Sequence, residues 1–130
     1  MNKPIIREEF KPDFNRIKQY DRLYFNTPVD ILEDERFLDL PTATQAVYQH
    51  MCRLSFRRAN TNGWFLVTSK DLMRITKLDI RTIRRAKYQL FKLKFLDIGR
   101  AYEHDSNIHT SDCYRINGFK DIIVEDKNVG

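Results

Sequence analysis

The sequence predicts an α+β fold with about three core helices, a short strand and a C-terminal β-hairpin. Three observations carry this expectation. Apolar residues recur at helical spacing from Ala43 to Leu54 and again from Ile83 to Leu93. Between those stretches lies a shorter helical pattern with its own start and stop signals. After them, Phe95-Leu96-Asp97-Ile98 and Cys113-Tyr114-Arg115-Ile116 alternate like two strands.

A chain of 130 residues that is 42% hydrophobic and 12% aromatic is long and apolar enough for one packed domain, and too apolar for a disordered one. No apolar run approaches the roughly 18 residues that span a bilayer, so no membrane role is expected. The first residues, Met-Asn-Lys-Pro-Ile-Ile-Arg-Glu-Glu, lack the basic-then-apolar layout of a secretory signal. Cys52 and Cys113 are the only cysteines, too few for a disulfide framework. Together these features fit a cytoplasmic protein.

Residues 1–22 read as an N-terminal arm or short helix. Phe10, Phe14 and Ile17 repeat at helical spacing, with Pro12 as a first-turn residue. They suit a docking helix, a homodimer contact or an arm lying on the core. Leu23-Tyr24-Phe25-Asn26-Thr27, stopped by Pro28, reads as a short strand. Glu33-Asp34-Glu35 reads as an exposed acidic turn or short helix. Pro41-Thr42 then opens the long helix, whose buried stripe is Ala43, Val47, His50, Met51 and Leu54. Asn60-Thr61-Asn62-Gly63 ends it, and Trp64-Phe65-Leu66-Val67 follows as a short strand.

Thr68-Ser69-Lys70-Asp71 matches a capping box, in which the Thr hydroxyl and the Asp carboxylate each take an orphan amide. Leu72 and Ile75 give this helix a short apolar face, and Thr76-Lys77-Leu78 is a tight turn. Asp79 is the N-cap of a second helix reaching about Leu93, with Ile83, Ala86 or the Lys87 alkyl stem, Leu90 and Leu93 inward. Two short helices, a tight turn and a hairpin make a helix-turn-helix followed by a wing. Glu103-His104-Asp105-Ser106-Asn107 is polar enough for the hairpin tip, and residues 120–130 form an acidic tail.

Charge follows this organisation. The chain carries +5 overall, but residues 69–94 hold nine Lys and Arg against two Asp, a local +7. Residues 1–40 sum to −2, residues 41–68 to +3 and residues 95–130 to −3. A focused basic segment between acidic flanks is the electrostatic footprint of a face that binds a polyanion. With Ile83 inward, Arg81, Thr82, Arg84, Arg85 and Tyr88 project outward or sideways near the start of the second helix. Helix residues at that end meet base edges in a major groove; Arg binds guanine bidentately and Thr meets a phosphate or a thymine methyl. Ser69 and Lys70 at the start of the first helix, and Arg100 and His104 on the wing, complete the candidate contacts to double-stranded DNA.

Other chemistries fit poorly. His104, His109 and Cys113 have a His-x4-His-x3-Cys spacing that matches no common zinc pattern. His50 and Cys52 lie on or beside a buried stripe and read as core residues. Glycine occurs only at 63, 99, 118 and 130, which leaves no P-loop, no dinucleotide fingerprint and no nucleophile elbow. No enzymatic activity, cofactor or metal is expected.

The stretches Thr68–Leu72, Asp79–Ala86 and Tyr114-Arg115-Ile116-Asn117 resemble the winged-helix domain of bacterial, phage and plasmid proteins. Within that group, Phe25-Asn26-Thr27-Pro28-Val29-Asp30-Ile31-Leu32, leading to Leu40 and Tyr48, is similar to the N-terminal part of replication initiators and phage replication-organiser proteins. The resemblance covers residues 23–119 and implies a winged-helix domain acting in replication initiation or origin recognition of a phage, plasmid or mobile element. A transcriptional repressor is the alternative, as is a protein–protein adaptor that meets replication proteins. One departure stands out. Where such a helix usually ends in Gly before the wing, this chain has Lys94, which costs about 1–2 kcal/mol if the backbone turns left-handed there.

Overall fold

The computed structural model describes residues 3–13, 29–102 and 109–118, apart from the side chains of residues 29, 109 and 110. In chain order the elements are β1 (Ile5–Ile6), α1 (Val29–Leu32), α2 (Glu35–Leu38), α3 (Thr42–Arg58), β2 (Phe65–Leu66), α4 (Ser69–Thr76), α5 (Ile80–Lys92), β3 (Leu96–Tyr102) and β4 (His109–Ile116). The fold is α+β. Its one described sheet has the order β1-β3-β4-β2, with β1 parallel to β3 and the other pairs antiparallel. The strand expected at residues 23–27, the hairpin tip, the acidic tail and Phe14 and Ile17 lie outside the described residues.

Helix α3 is the centre of the core. Val47, Met51 and Leu54 are buried as the spacing predicts, with Ala43 and His50 half-buried at the margins. Tyr48 and Cys52 are buried too, so the apolar face is wider than a single stripe. The extra width is filled by Phe37 of α2, whose ring meets Tyr48 edge-on at 5.3 Å and Phe95 at 6.0 Å. Asp34 caps α2 by accepting from the Arg36 amide at 2.8 Å. The α3 helix ends at an Asx turn, where Asn60 Oδ1 accepts from the amides of Asn62 and Trp64 and Gly63 takes a φ of 91°.

The two faces of the sheet have different covers. Leu96, Ile98, Tyr114, Ile116 and Phe65 point toward the helices and join the main core. On the back, Trp64, Ala101 and Cys113 form a second cluster against Ile6, Phe10 and Leu66. Phe10 is therefore used inside its own chain, as an arm lying on the core. Gly99 makes this closeness possible: a Cβ there would stand 2.7 Å from Ile6 Cγ1 and 3.2 Å from the Pro4 carbonyl. The N-terminal segment is further tied to the α3–β2 turn, since Asn60 Nδ2 donates to Glu8 and to the Glu9 carbonyl.

The link from α5 into the hairpin is a left-handed turn at Lys94, with φ 63°. The Lys94 amide donates to the Phe91 carbonyl and the Phe95 amide to the Leu90 carbonyl, which is a Schellman motif closed without glycine. Asn117 braces it, donating from Nδ2 to the Lys94 carbonyl at 2.7 Å and from its amide to Phe95. Lys77, between α4 and α5, is also left-handed at φ 62°. No helix among the described residues is long and apolar enough to cross a membrane.

Lys94→Gly removes the left-handed penalty while giving back some unfolded-state entropy, so it stabilises the fold by about 0.5–1 kcal/mol. Urea unfolding monitored through Trp64 fluorescence measures this; no gain, or a loss, contradicts the cap assignment.

Candidate nucleic-acid interface

The arrangement of the site begins with what fixes α5. Thr68 and Asp79 cap α4 and α5 as their sequence positions predict: Thr68 Oγ1 accepts from the Asp71 amide at 3.0 Å, and Asp79 Oδ1 from the Thr82 amide at 2.8 Å. The reciprocal half of the expected capping box does not form: the Asp71 carboxylate turns to Arg58 and Arg74 instead, at 3.7 and 3.6 Å. The Thr82 hydroxyl, then its amide, and then the nearby Arg81 and Arg85 hold the Asp79 carboxyl below its ordinary pKa of 3.8. The cap is thus complete above pH 3.8 and is lost as acid protonates Asp79.

Three contacts set the rotation of α5 about its axis. Ile83, Ala86 and Leu90 are completely buried. Gln89 accepts a hydrogen bond from the Thr44 hydroxyl of α3 at 2.6 Å. Lys87 lays its stem inward, and its ammonium donates to Tyr114 Oη at 3.0 Å and lies 3.5 Å from Ser69 Oγ. Burial lowers the pKa of this ammonium, an effect the nearby Asp112 carboxylate opposes. Lys87 therefore joins α4, α5 and β4 at one point. Ser69, a candidate contact, is half-buried within this junction.

With that rotation fixed, the residues left outside are Arg81, Arg84, Arg85, Tyr88 and Lys92. Their spacing of 3, 1, 3 and 4 keeps them on one side of the helix, along about 16 Å at 1.5 Å per residue. Tyr88 is 51% exposed, a large ring open to solvent between cations. Arg81, Arg84, Arg85 and Lys92 have no ion-pair partner among the described residues, and neither does Lys70 on α4. Thr82 is half-buried and occupied by Asp79, so it lies at the margin of this stripe rather than on it.

Arg100 joins the same side of the molecule by strand alternation. In β3 it follows Leu96 and Ile98, both packed toward the helices, and it is exposed where the strand runs past the core. His104 lies outside the described residues. The structure thus leaves Lys70, Arg81, Arg84, Arg85, Tyr88 and Arg100 exposed, with the four α5 residues on one side of their helix. Lys92 was missed because reading the helix from its N-terminal end stops short of the last turn, although its spacing from Tyr88 marks it. The Lys87 junction was half legible: the stem is inward as expected, but its bond to Tyr114 depends on a strand 27 residues away. Among the described residues, no group of three His, Cys, Asp or Glu side chains is placed to hold a metal ion.

Comparison with known proteins finds no matching family model, no matching curated protein and no matching solved structure.

Arg84→Glu with Arg85→Glu leaves folding stability within about 0.5 kcal/mol of the wild type, because neither side chain is packed or paired. Thr44→Val costs about 1–2 kcal/mol, because Gln89 loses its hydroxyl donor in a half-buried setting. Chemical denaturation of both variants measures these effects, and equal losses in the two would contradict the orientation given for α5.

Proposed function

We propose that this chain binds double-stranded DNA through a winged-helix domain, with α5 in the major groove and the β3–β4 hairpin as the wing. The observation that carries the proposal is the exposed α5 stripe: an open tyrosine and four cations, none of them held in an ion pair among the described residues. Side chains left unpaired in this way keep their donors available for phosphate oxygens and base edges. The order of elements supports the reading: α4, a left-handed turn at Lys77, α5 and then an antiparallel hairpin correspond to a helix-turn-helix with a wing.

In this reading the roles divide by position. Arg81, Arg84 and Arg85 lie in the first two turns of α5, where guanidinium forks reach guanine edges. Tyr88 packs its ring on a base methyl or sugar. Lys70, Lys92 and Arg100 flank that centre and meet the phosphate backbone, which sets register and affinity rather than sequence. The biological role we infer is replication initiation or origin recognition in a phage, plasmid or mobile element, on the similarity of residues 25–32 to replication initiators. A repressor would use the same face. Repeated footprints at an origin support the initiator, and a single promoter operator supports the repressor.

Titration with duplex DNA at several salt concentrations tests the reading. The three phosphate contacts of Lys70, Lys92 and Arg100 give a log–log salt slope of about −3. The Arg84→Glu/Arg85→Glu variant, which keeps the fold, loses binding. No binding at low salt, or binding that does not change with salt, contradicts the DNA reading.

A further inference from the structure

The hairpin carries an opposite charge beside its exposed cation. Arg100 and Asp112 are direct cross-strand partners in the β3–β4 register, one step beyond Ile98 and Tyr114 on the helix-bearing face. Oppositely charged residues at such positions normally attract each other. Asp112 is instead engaged by Lys3, whose ammonium lies 2.8 Å from Asp112 Oδ2. Both side chains are only about a quarter exposed, at 25% and 28%, so this is the better-shielded pairing.

The N-terminal strand delivers Lys3 to that place. Ile5 and Ile6 pair in parallel with Arg100 and Ala101, the Arg100 amide donates to the Pro4 carbonyl at 2.8 Å, and Ile6 fills the space left open by Gly99. The chain has thus added a strand to the edge of the hairpin and used Lys3 to hold the Asp112 carboxylate. Arg100 stays exposed, with no ion pair among the described residues. The same carboxylate also acts on Lys87 of α5.

We propose that Lys3 is a positioning residue for DNA binding: by engaging Asp112 it frees Arg100 for a phosphate and masks the one carboxylate that the hairpin's described residues carry on the helix-bearing face. This rests on the DNA reading given above. Without Lys3, Asp112 turns to its cross-strand partner, which removes a cation from the interface and leaves a carboxylate facing the duplex.

The test is a double-mutant cycle on the full chain, with a DNA duplex titrated at fixed low salt and thermal unfolding followed in parallel. Lys3→Met weakens binding about three- to fivefold, the upper part of the range of a cross-strand charge pair. Lys3→Arg binds as the wild type does. Adding Asp112→Asn to Lys3→Met restores affinity to within about twofold, although both ends of the bridge are then gone. If Lys3 only anchored β1, or touched phosphate itself, Asp112→Asn would change affinity by the same factor in the wild type as in Lys3→Met, and that additivity would overturn the proposal. An unchanged affinity in Lys3→Met overturns it as well. A wild-type chain that binds no duplex overturns the DNA reading, and Lys3's role with it; a wild type that binds while the rescue fails overturns only the role of Lys3.

Discussion

The burial of Ile83, Ala86 and Leu90 against α3 is the constraint on which the rest of the structure depends. A helix of 13 residues has little stability of its own in water, so α5 exists because its apolar side is covered. Full burial of Ile83 and Leu90 contributes about 1.5–3 kcal/mol each. Turning the helix by one residue would put Arg84 where Ile83 lies, and an unpaired buried guanidinium costs more than that gain. The rotation is therefore unique, and the Thr44–Gln89 and Lys87–Tyr114 bonds agree with it. Because the inner face is fixed, the outer face is fixed too. The clustering of Arg81, Arg84, Arg85, Tyr88 and Lys92 is the complement of core packing.

The hairpin depends on α5 through one turn. Lys94 reverses the chain in a left-handed conformation at a cost near 1 kcal/mol, and Asn117, Phe91 and Leu90 supply the hydrogen bonds that hold it. That turn delivers β3 against the core with Leu96 and Ile98 inward, and alternation then carries Arg100 out on the side of α5. The back of the same sheet would expose Trp64, Ala101 and Cys113, but Ile6 and Phe10 cover them. Burial there holds the Cys113 thiol near a pKa of about 12, which makes it an inert packing group. The N-terminal segment thus closes a second small core while reaching Asp112 on the other face.

What the sequence made legible was local. Helical periodicity located α3, α4 and α5, and the side chains of Thr68 and Asp79 marked two helix starts to the residue. The basic stripe followed from the same periodicity, because knowing the buried side of α5 gives the exposed one. Lys94 was visible as an anomaly, a lysine where the backbone asks for glycine. The hairpin strands were placed but read short: Gly99 breaks the alternating pattern, although in the sheet it belongs to the strand because Ile6 needs its missing side chain. The non-local features were not legible. Two residues, Ile5 and Ile6, have too little pattern to announce a strand, and they form one only because β3 offers an open edge. The Lys3–Asp112 bridge spans 109 positions, and no spacing rule reaches that far.

If the packing of α5 determines the interface, residues on its outer side should respond together to a bound duplex while the sheet's back does not. Amide and side-chain chemical shifts of the isotope-labelled chain, followed during titration with duplex DNA, measure this most directly. The account predicts the largest changes at Arg81, Arg84, Arg85, Tyr88 and Lys92, with Arg100 next and Trp64, Phe10 and Cys113 little moved. Changes concentrated at Trp64, Phe10 and the Asn60–Gly63 turn, with α5 unmoved, would contradict it.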